Sequence, residues 1–202
     1  MGKSQLTLSV LKKEATQFAD ILTENTDPLL FGVTDGKALG SYFEQRFRSY
    51  LRERYHFVEG NSATGIDFPD LNVDIKLTSI KQPQSSCPYR SAREKVYGLD
   101  YSLLIFVYEK VDVDKVGRQN IISVIFFNKE RTGDYQTTSG LLEILKNRGN
   151  KDDILTFLRN DVYHSTTQRP HSLQRKYFKT LLSSATSPSR THSSGDYSSV
   201  VS

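Results

Sequence analysis

The chain has 202 residues and a formal net charge of +4, and 37% of its residues are hydrophobic. This length and composition fit one globular domain and exclude a membrane-spanning helix, because no apolar run approaches about 20 residues. Residues 1–164 carry 22 basic and 22 acidic side chains, whereas residues 165–202 carry five basic and one acidic, so the excess charge lies at the end. Cys87 is the only cysteine, which excludes an internal disulfide, and we expect a soluble, cytoplasmic protein.

The first half of the chain predicts two amphipathic helices followed by a β-hairpin. Apolar residues recur every three or four positions over residues 10–24 and again over residues 37–54, which is the spacing of one helix face. Residues 66–68 and 72–80 are predicted to be extended, with residues 68–71 as a tight connection between them.

The second half predicts two strong strands and then helices. Residues 101–111 and 120–128 are rich in Ile, Val and Phe, as buried strands are, and the charged residues 112–119 predict a loop that joins them as a hairpin. Further helices are predicted at residues 89–98, 139–147, 151–161 and 171–182.

The order of these elements predicts an α/β domain over residues 1–182. Two helices, a run of strands and further helices imply a mixed central sheet with helices on its faces. Residues 183–202 are rich in Ser and lack apolar periodicity, so we expect a disordered tail.

The residues that could carry chemistry lie around the first predicted hairpin. Asp74 and Lys76 are two positions apart on one strand, so both side chains point to the same face. The turn before them could bring the Asp67 carboxylate beside that of Asp74, and two adjacent carboxylates need a cation, for which Mg²⁺ is the usual choice. Glu44, near the apolar side of the second predicted helix, is a third carboxylate that needs a partner or a metal. Such a site would hydrolyse phosphodiesters, with Lys76 stabilising charge on the phosphorus.

This pattern resembles the PD-(D/E)XK nuclease superfamily. Residues 67–78 are similar to the metal-binding hairpin of the mismatch-repair endonuclease MutH and its related restriction enzymes. Residues 36–44, Gly-Lys-Ala-Leu-Gly-Ser-Tyr-Phe-Glu, are similar to the Lys-Gly-x-x-Gly helix of that branch, with the first two residues swapped. The chain departs from MutH in having Asp74 where that branch has Glu, and in a longer gap between Glu44 and Asp67.

The resemblance implies that Glu44, Asp67, Asp74 and Lys76 form the catalytic set, with the three acids binding Mg²⁺. The implied protein is a restriction-endonuclease-like Mg²⁺-dependent DNA endonuclease, and we predict a type II restriction enzyme that acts on double-stranded DNA as a homodimer. A MutH-like repair nickase and a catalytically silent DNA-binding protein of the same fold are the alternatives. No Walker-type motif is present in the sequence, so we expect no nucleotide cofactor.

Two alternatives to this catalytic set follow from the same residues. Asp70 could replace Asp67 as the first acid, because Pro69-Asp70 spells the literal Pro-Asp of the superfamily. Only three residues separate Asp70 from Asp74, too few for a turn and a new strand, so we expect a turn role for Asp70. An ordinary surface ion pair between Asp74 and Lys76 would contribute only about 0–1 kcal/mol and no chemistry.

A DNA-binding surface is predicted beside the hairpin. Residues 75–99 carry five basic side chains against one acidic, so Lys and Arg there could contact phosphates and Gln could reach base edges. The candidates are Lys37, Lys81, Gln82, Gln84, Arg90, Arg93 and Lys95. A solvated loop and helix face is the alternative, and Arg93 and Lys95 could instead assist at the scissile phosphate.

Overall fold

A computed structural model of the chain describes residues 2–60, 65–82 and 89–159. The predicted helix at residues 171–182, the Ser-rich tail at residues 183–202 and the boundary between them lie outside the described residues. The predicted extent of the domain and of its tail therefore stays a prediction.

The described fold is built around a three-stranded mixed sheet. Two short strands, Ser4–Gln5 (β1) and Tyr55–His56 (β2), form a separate parallel pair. The main sheet contains Val73–Ser79 (β3), Ser102–Val113 (β4) and Val116–Phe127 (β5) in the order β3-β4-β5. Strand β3 runs parallel to β4, and β5 runs antiparallel to it. A mixed sheet with flanking helices confirms the predicted α/β class.

Five α-helices occur within the described residues. They are Leu8–Glu24 (α1), Gly36–Arg54 (α2), Ala92–Tyr97 (α3), Tyr135–Lys146 (α4) and Lys151–Phe157 (α5). The start predicted for α4 at residue 139 was wrong, because Asp134 caps the helix earlier by accepting the Thr137 N–H at 2.9 Å. None of the described helices combines the length and the hydropathy that crossing a bilayer requires.

The β4–β5 hairpin has a much tighter turn than the sequence predicted. The charged residues 112–119 were expected to form a loop, but Asp112 pairs with Gly117 and Val113 with Val116. Only Asp114 and Lys115 remain as the turn, with φ of 52° and 63°. Two residues with positive φ are what a two-residue hairpin turn needs, so charge alone was a poor guide to where the strands end.

Gly117, the second residue of β5, has a packing role. It exchanges two backbone hydrogen bonds with Asp27, at 2.8 and 2.9 Å. A Cβ atom at Gly117 would lie 2.6 Å from Leu30, so only glycine allows the short helical turn Pro28–Leu30 to approach the hairpin this closely.

Helices α1 and α2 cover one face of the main sheet. Aromatic rings fill the space between them, with the centroids of Phe43 and Phe106 4.5 Å apart and those of Phe18 and Phe47 5.0 Å apart. The buried residues of this core are Leu6, Leu11, Ala15, Phe18, Ala19, Leu22, Phe43, Phe47, Leu51, Phe68, Val73, Ile75, Leu104 and Phe106. The opposite face of β4 buries a second cluster, Leu99, Leu103, Ile105 and Val107. Burial on both faces explains the continuous apolar run of β4.

A buried carboxylate ties α1 to its neighbours. Glu14 accepts hydrogen bonds from the Tyr50 hydroxyl at 2.6 Å and from the Tyr55 hydroxyl at 2.8 Å. Burial, followed by the hydrogen bond to Glu14, raises the pKa of Tyr50 to about 12. These bonds fix the position of α2, and therefore of the functional residues that α2 carries.

Candidate active site

The predicted hairpin brings Asp67 to the edge of β3. Phe68 and Val73 form an antiparallel bridge around the short helical turn Pro69–Leu71, so the chain reverses direction within a few residues. Oδ2 of Asp67 then accepts a hydrogen bond from the Ile75 N–H at 2.7 Å. Because Ile75 follows Asp74 directly, this bond holds the Asp67 carboxylate beside the acidic position of the strand.

Asp74 is a buried carboxylate with one cationic partner. Its residue is 3% exposed, and Oδ2 lies 2.5 Å from Nζ of Lys76. Burial raises the pKa of Asp74 to about 7, the Lys76 charge opposes that rise, and the adjacent Asp67 carboxylate adds to it. The two carboxylates therefore interact directly, as the spacing of the residues predicted.

The two faces of β3 differ as expected. Val73 and Ile75 are fully buried in the core beneath α2. Asp74 and Lys76 pair with Leu103 and Ile105 of β4, so they share the opposite face. The candidate site thus lies at the margin of the sheet, because β3 is an outer strand of the described sheet.

Glu44 lies on α2, next to this margin. Burial and then the charge of Asp67 raise the pKa of Glu44, whereas the charges of Arg48 and Lys76 lower it. The structure therefore places all four predicted catalytic residues within one electrostatic environment.

Arg48 is a member of this cluster that the sequence analysis missed. It lies one helical turn after Glu44, and its Nη2 forms an ion pair with Oδ1 of Asp67. Its Nη1 also donates to the Gly60 carbonyl oxygen at 3.3 Å. The spacing of four residues from Glu44 was the only available signal, and it did not distinguish Arg48 from the other arginines of α2.

The cluster opens onto a cavity of about 300 Å³ along α2. Within the lining of this cavity, Arg52 forms an ion pair with Glu59 through two hydrogen bonds, with N–O distances of 2.7 and 2.9 Å. The lining residues are Ser41, Glu44, Gln45, Arg48, Arg52 and Glu59. This cavity gives solvent, and any ligand of similar width, a path to Arg48 and Glu44.

The donor set fits a magnesium ion held by few protein ligands. Within the described residues, no three His, Cys, Asp or Glu side chains converge into a metal cage. Magnesium, however, keeps several waters and binds through one or two carboxylates plus substrate phosphates. Asp67 and Asp74 supply two adjacent carboxylates, and the buried Oδ2 of Asp74 accepts no aligned hydrogen bond from the described residues.

The predicted DNA-binding residues differ in their exposure to solvent. Lys37, Lys81, Gln82, Arg90 and Arg93 are exposed, and Gln84 lies outside the described residues. Lys95 differs from them, because this residue is only 9% exposed. Asp70 lies exposed in the turn before β3, which agrees with a turn role.

Comparison with known proteins decides the class. Residues 5–177 match the family model of the type II restriction enzyme NspV. The chain belongs to the NspV family of type II restriction enzymes. The curated type II restriction enzyme NspV of Nostoc sp. is 56% identical to it over 155 residues, which cover 76% of this chain and 70% of that protein. No solved structure matches the chain.

Membership of the NspV family confirms the predicted enzyme class. The protein is a type II restriction endonuclease, a site-specific deoxyribonuclease. The match spans α1, α2 and the whole described sheet, and therefore all five charged residues of the cluster. This result favours the restriction enzyme over the repair nickase and the silent DNA-binding protein.

Proposed function

We propose that this endonuclease cleaves DNA with Mg²⁺ and uses Glu44, Asp67, Asp74 and Lys76 as its catalytic set. The observation that carries this proposal is the position of the Asp67 carboxylate, which the Ile75 N–H holds at 2.7 Å beside Asp74, with Lys76 Nζ 2.5 Å from Asp74 Oδ2. This arrangement has the order and residue types of a PD-(D/E)XK site, and the hairpin is similar to that of the MutH-like branch.

In this proposal, Asp67 and Asp74 would hold the metal, and Glu44 would complete its site. The bound metal would supply Lewis-acid chemistry, which activates a phosphodiester and a water for hydrolysis. Lys76 stabilises the negative charge that grows on the phosphorus oxygens. Its side chain is 25% exposed, so the ammonium is accessible to a phosphate while its partner Asp74 stays buried. Burial strengthens these electrostatic interactions, because the local dielectric is low.

The proposed DNA contacts lie on exposed basic and amide side chains around this margin. Phosphates would be contacted by Lys37, Lys81, Arg90 and Arg93. A base edge would be contacted by Gln82 and by Gln84, of which the latter is not among the described residues. Lys81 lies 3.4 Å from Glu109 and Arg93 lies 3.8 Å from Asp100, so weak surface ion pairs would give way to phosphates. Lys95 is left out because it is buried.

A homodimer follows from the number of cuts required. One cluster attacks one phosphodiester, and a double-strand break at a palindromic site needs two clusters related by a two-fold axis. We therefore propose a symmetric dimer on double-stranded DNA, with no nucleotide cofactor.

Two conservative substitutions test the site. Asp74→Asn and Lys76→Gln should each lower the rate of plasmid cleavage in Mg²⁺ by about a hundredfold or more, because each removes a charge that acts on the phosphate. Asp70→Asn is the matched control, since it changes an exposed aspartate of the turn that precedes β3 and should leave the rate within about threefold. Cleavage at wild-type rates by both site variants would contradict the proposed catalytic set.

The same plasmid assay separates the oligomeric alternatives. A homodimer should convert supercoiled plasmid to linear product, and light scattering of the DNA-bound enzyme should give the mass of two chains. Open-circular product from a monomer would instead support a nicking enzyme of the MutH kind.

A further inference from the structure

Arg48 lies where its positive charge opposes metal binding. Its guanidinium forms an ion pair with Oδ1 of Asp67, and Oδ2 of the same carboxylate accepts the Ile75 N–H at 2.7 Å. Both oxygens of a proposed metal ligand therefore already have donors. A cation could approach Asp67 only beside the guanidinium or in its place.

The other bonds of Arg48 are few. Nη1 donates to the Gly60 carbonyl oxygen at 3.3 Å, which is a long hydrogen bond, and the buried Nε has no acceptor among the described residues. A guanidinium offers five N–H donors, so most of its capacity is unused here. The attraction to Asp67 is therefore the main interaction that holds Arg48 at this position.

The formal charge of the cluster shows what Arg48 does. Glu44, Asp67 and Asp74 are opposed by Arg48 and Lys76, which leaves a formal charge of −1. Without Arg48 the charge is −2, and the carboxylates repel one another more strongly. A guanidinium about 5 Å from a divalent cation disfavours that cation by about tenfold, even at the dielectric constant of water.

We propose that Arg48 is a positioning residue that occupies the metal's place at Asp67 in the DNA-free enzyme and competes with the metal for this carboxylate. The proposal rests on the metal-binding role proposed above for Asp67 and Asp74. Arg48 then has two opposite effects. It stabilises the metal-free site by compensating the Asp67 charge, and it weakens metal binding. The cavity beside it, lined by Ser41 and Gln45, gives the displaced side chain room to move.

Titration of the DNA-free full chain with Mn²⁺, followed by the electron paramagnetic resonance of the free ion, tests the competition. Arg48→Met keeps the aliphatic stem and removes the charge, so its dissociation constant for Mn²⁺ should be about tenfold lower than that of the wild type. Its melting temperature in EDTA should be lower, because the Asp67 charge loses its partner. A purely structural role of Arg48 would give the lower melting temperature together with weaker metal binding.

Arg52→Met is the matched control, because Arg52 lies one turn further along α2 and pairs with Glu59, not with Asp67. It removes the same charge from the same cavity and should change the Mn²⁺ dissociation constant by less than about threefold. An equal gain in both variants would show a general charge effect and would overturn the proposal for Arg48.

Unchanged or weaker Mn²⁺ binding by folded Arg48→Met also overturns the proposal. If circular dichroism shows that this variant does not fold, Arg48→Lys decides. An ammonium lacks the two-pronged fork and holds Asp67 less well, so metal binding should tighten by about two- to fivefold, and no change overturns the proposal. Asp74→Asn distinguishes failure of the proposed metal site from failure of the proposal for Arg48. Wild-type Mn²⁺ affinity of this variant would overturn the metal site. Loss of Mn²⁺ binding by this variant would support the metal site, and the Arg48 variants then decide whether Arg48 competes with the metal.

Discussion

At the scale of single residues, the candidate site holds a buried carboxylate, Asp74, whose ionisation lowers the stability of the metal-free fold. Asp74 is 3% exposed, and burial raises its pKa to about 7 although Lys76 is next to it. A buried charge that lowers the stability of the free protein is typical of functional sites, because the same unfavourable electrostatic energy is relieved when a cation or a transition state binds. The positive charges of Arg48 and Lys76 offset part of this energy.

Asp74→Asn should therefore stabilise the metal-free protein while it lowers the cleavage rate by about a hundredfold or more. The folded-state pKa of Asp74 lies above the unfolded value of 3.8, so the stability that this group contributes is complete below about pH 3.8 and is lost as the pH rises through about 7. The Asn side chain does not ionise, so the variant does not lose this stability as the pH rises. Its advantage in the free energy of unfolding should grow from pH 4 to pH 7 and reach roughly 1–3 kcal/mol at pH 8.

Urea unfolding in EDTA at a series of pH values measures this difference. Asp70→Asn, at an exposed position of the turn that precedes β3, should show no such trend. An advantage of Asp74→Asn that shrinks as the pH rises would mean that Asp74 is stabilised by its environment in the ionised form, contrary to our account.

At the scale of elements, α2 joins the core to the site. Phe43 and Phe47 are fully buried against the sheet, whereas Glu44 and Arg48 follow each of them by one position and lie at the margin beside Asp67. The helix begins at a fixed point, because Asp35 accepts the N–H groups of Lys37 and Ala38. Packing of the aromatic face therefore sets the positions of the charged residues.

The β4–β5 hairpin offers a prediction about stability at the same scale. Lys115 has φ of 63°, a left-handed conformation that costs a residue with a Cβ about 1 kcal/mol. Lys115→Gly should therefore stabilise the protein by roughly 0.5–1 kcal/mol in urea unfolding, with cleavage unchanged, because glycine adopts this conformation freely.

The matched control for this substitution is Glu143→Gly. Glu143 is exposed in the interior of α4, where glycine should destabilise by about 1 kcal/mol. Destabilisation by Lys115→Gly would show that the Lys115 side chain stabilises the protein by more than its left-handed backbone conformation costs.

At the scale of the whole molecule, the family match and the described site occupy the same part of the chain. The match ends at residue 177, and the charged cluster lies between α2 and β3. The excess positive charge of the last 38 residues is carried entirely before residue 183, since residues 183–202 contain one arginine and one aspartate. This final segment therefore adds no net charge for a DNA backbone.

Deletion of residues 183–202 should leave the cleavage rate within about twofold. It should also leave unchanged the slope of log binding constant against log salt concentration, because that slope reports the number of phosphates neutralised. Plasmid cleavage and fluorescence anisotropy with a DNA duplex at several salt concentrations provide the measurements. A tenfold loss of cleavage or a shallower slope would show that this segment belongs to the working enzyme.

The sequence by itself determined the elements and the central pair of acids. Periods of 3.6 and 2 in the apolar residues are local properties, so both ends of α1 and α2 were predicted to within two residues and those of β3 to within one. The predicted start of β5 was four residues late, and the short strands β1 and β2 were not predicted. The positions of Asp67, Asp74 and Lys76 followed in the same way, since a short turn and strand alternation leave little freedom.

Only the tertiary structure decided which side chains meet across long separations. Arg48 pairs with Asp67 nineteen positions away because α2 lies over β3, and no local period encodes that contact. Lys95 is buried although it follows Arg93 and Glu94, and Asp112 extends a strand although it is charged, because burial and pairing depend on what packs opposite. Local geometry is fixed by the covalent chain and its periodicity, whereas partners are fixed by how separate elements pack in the same core.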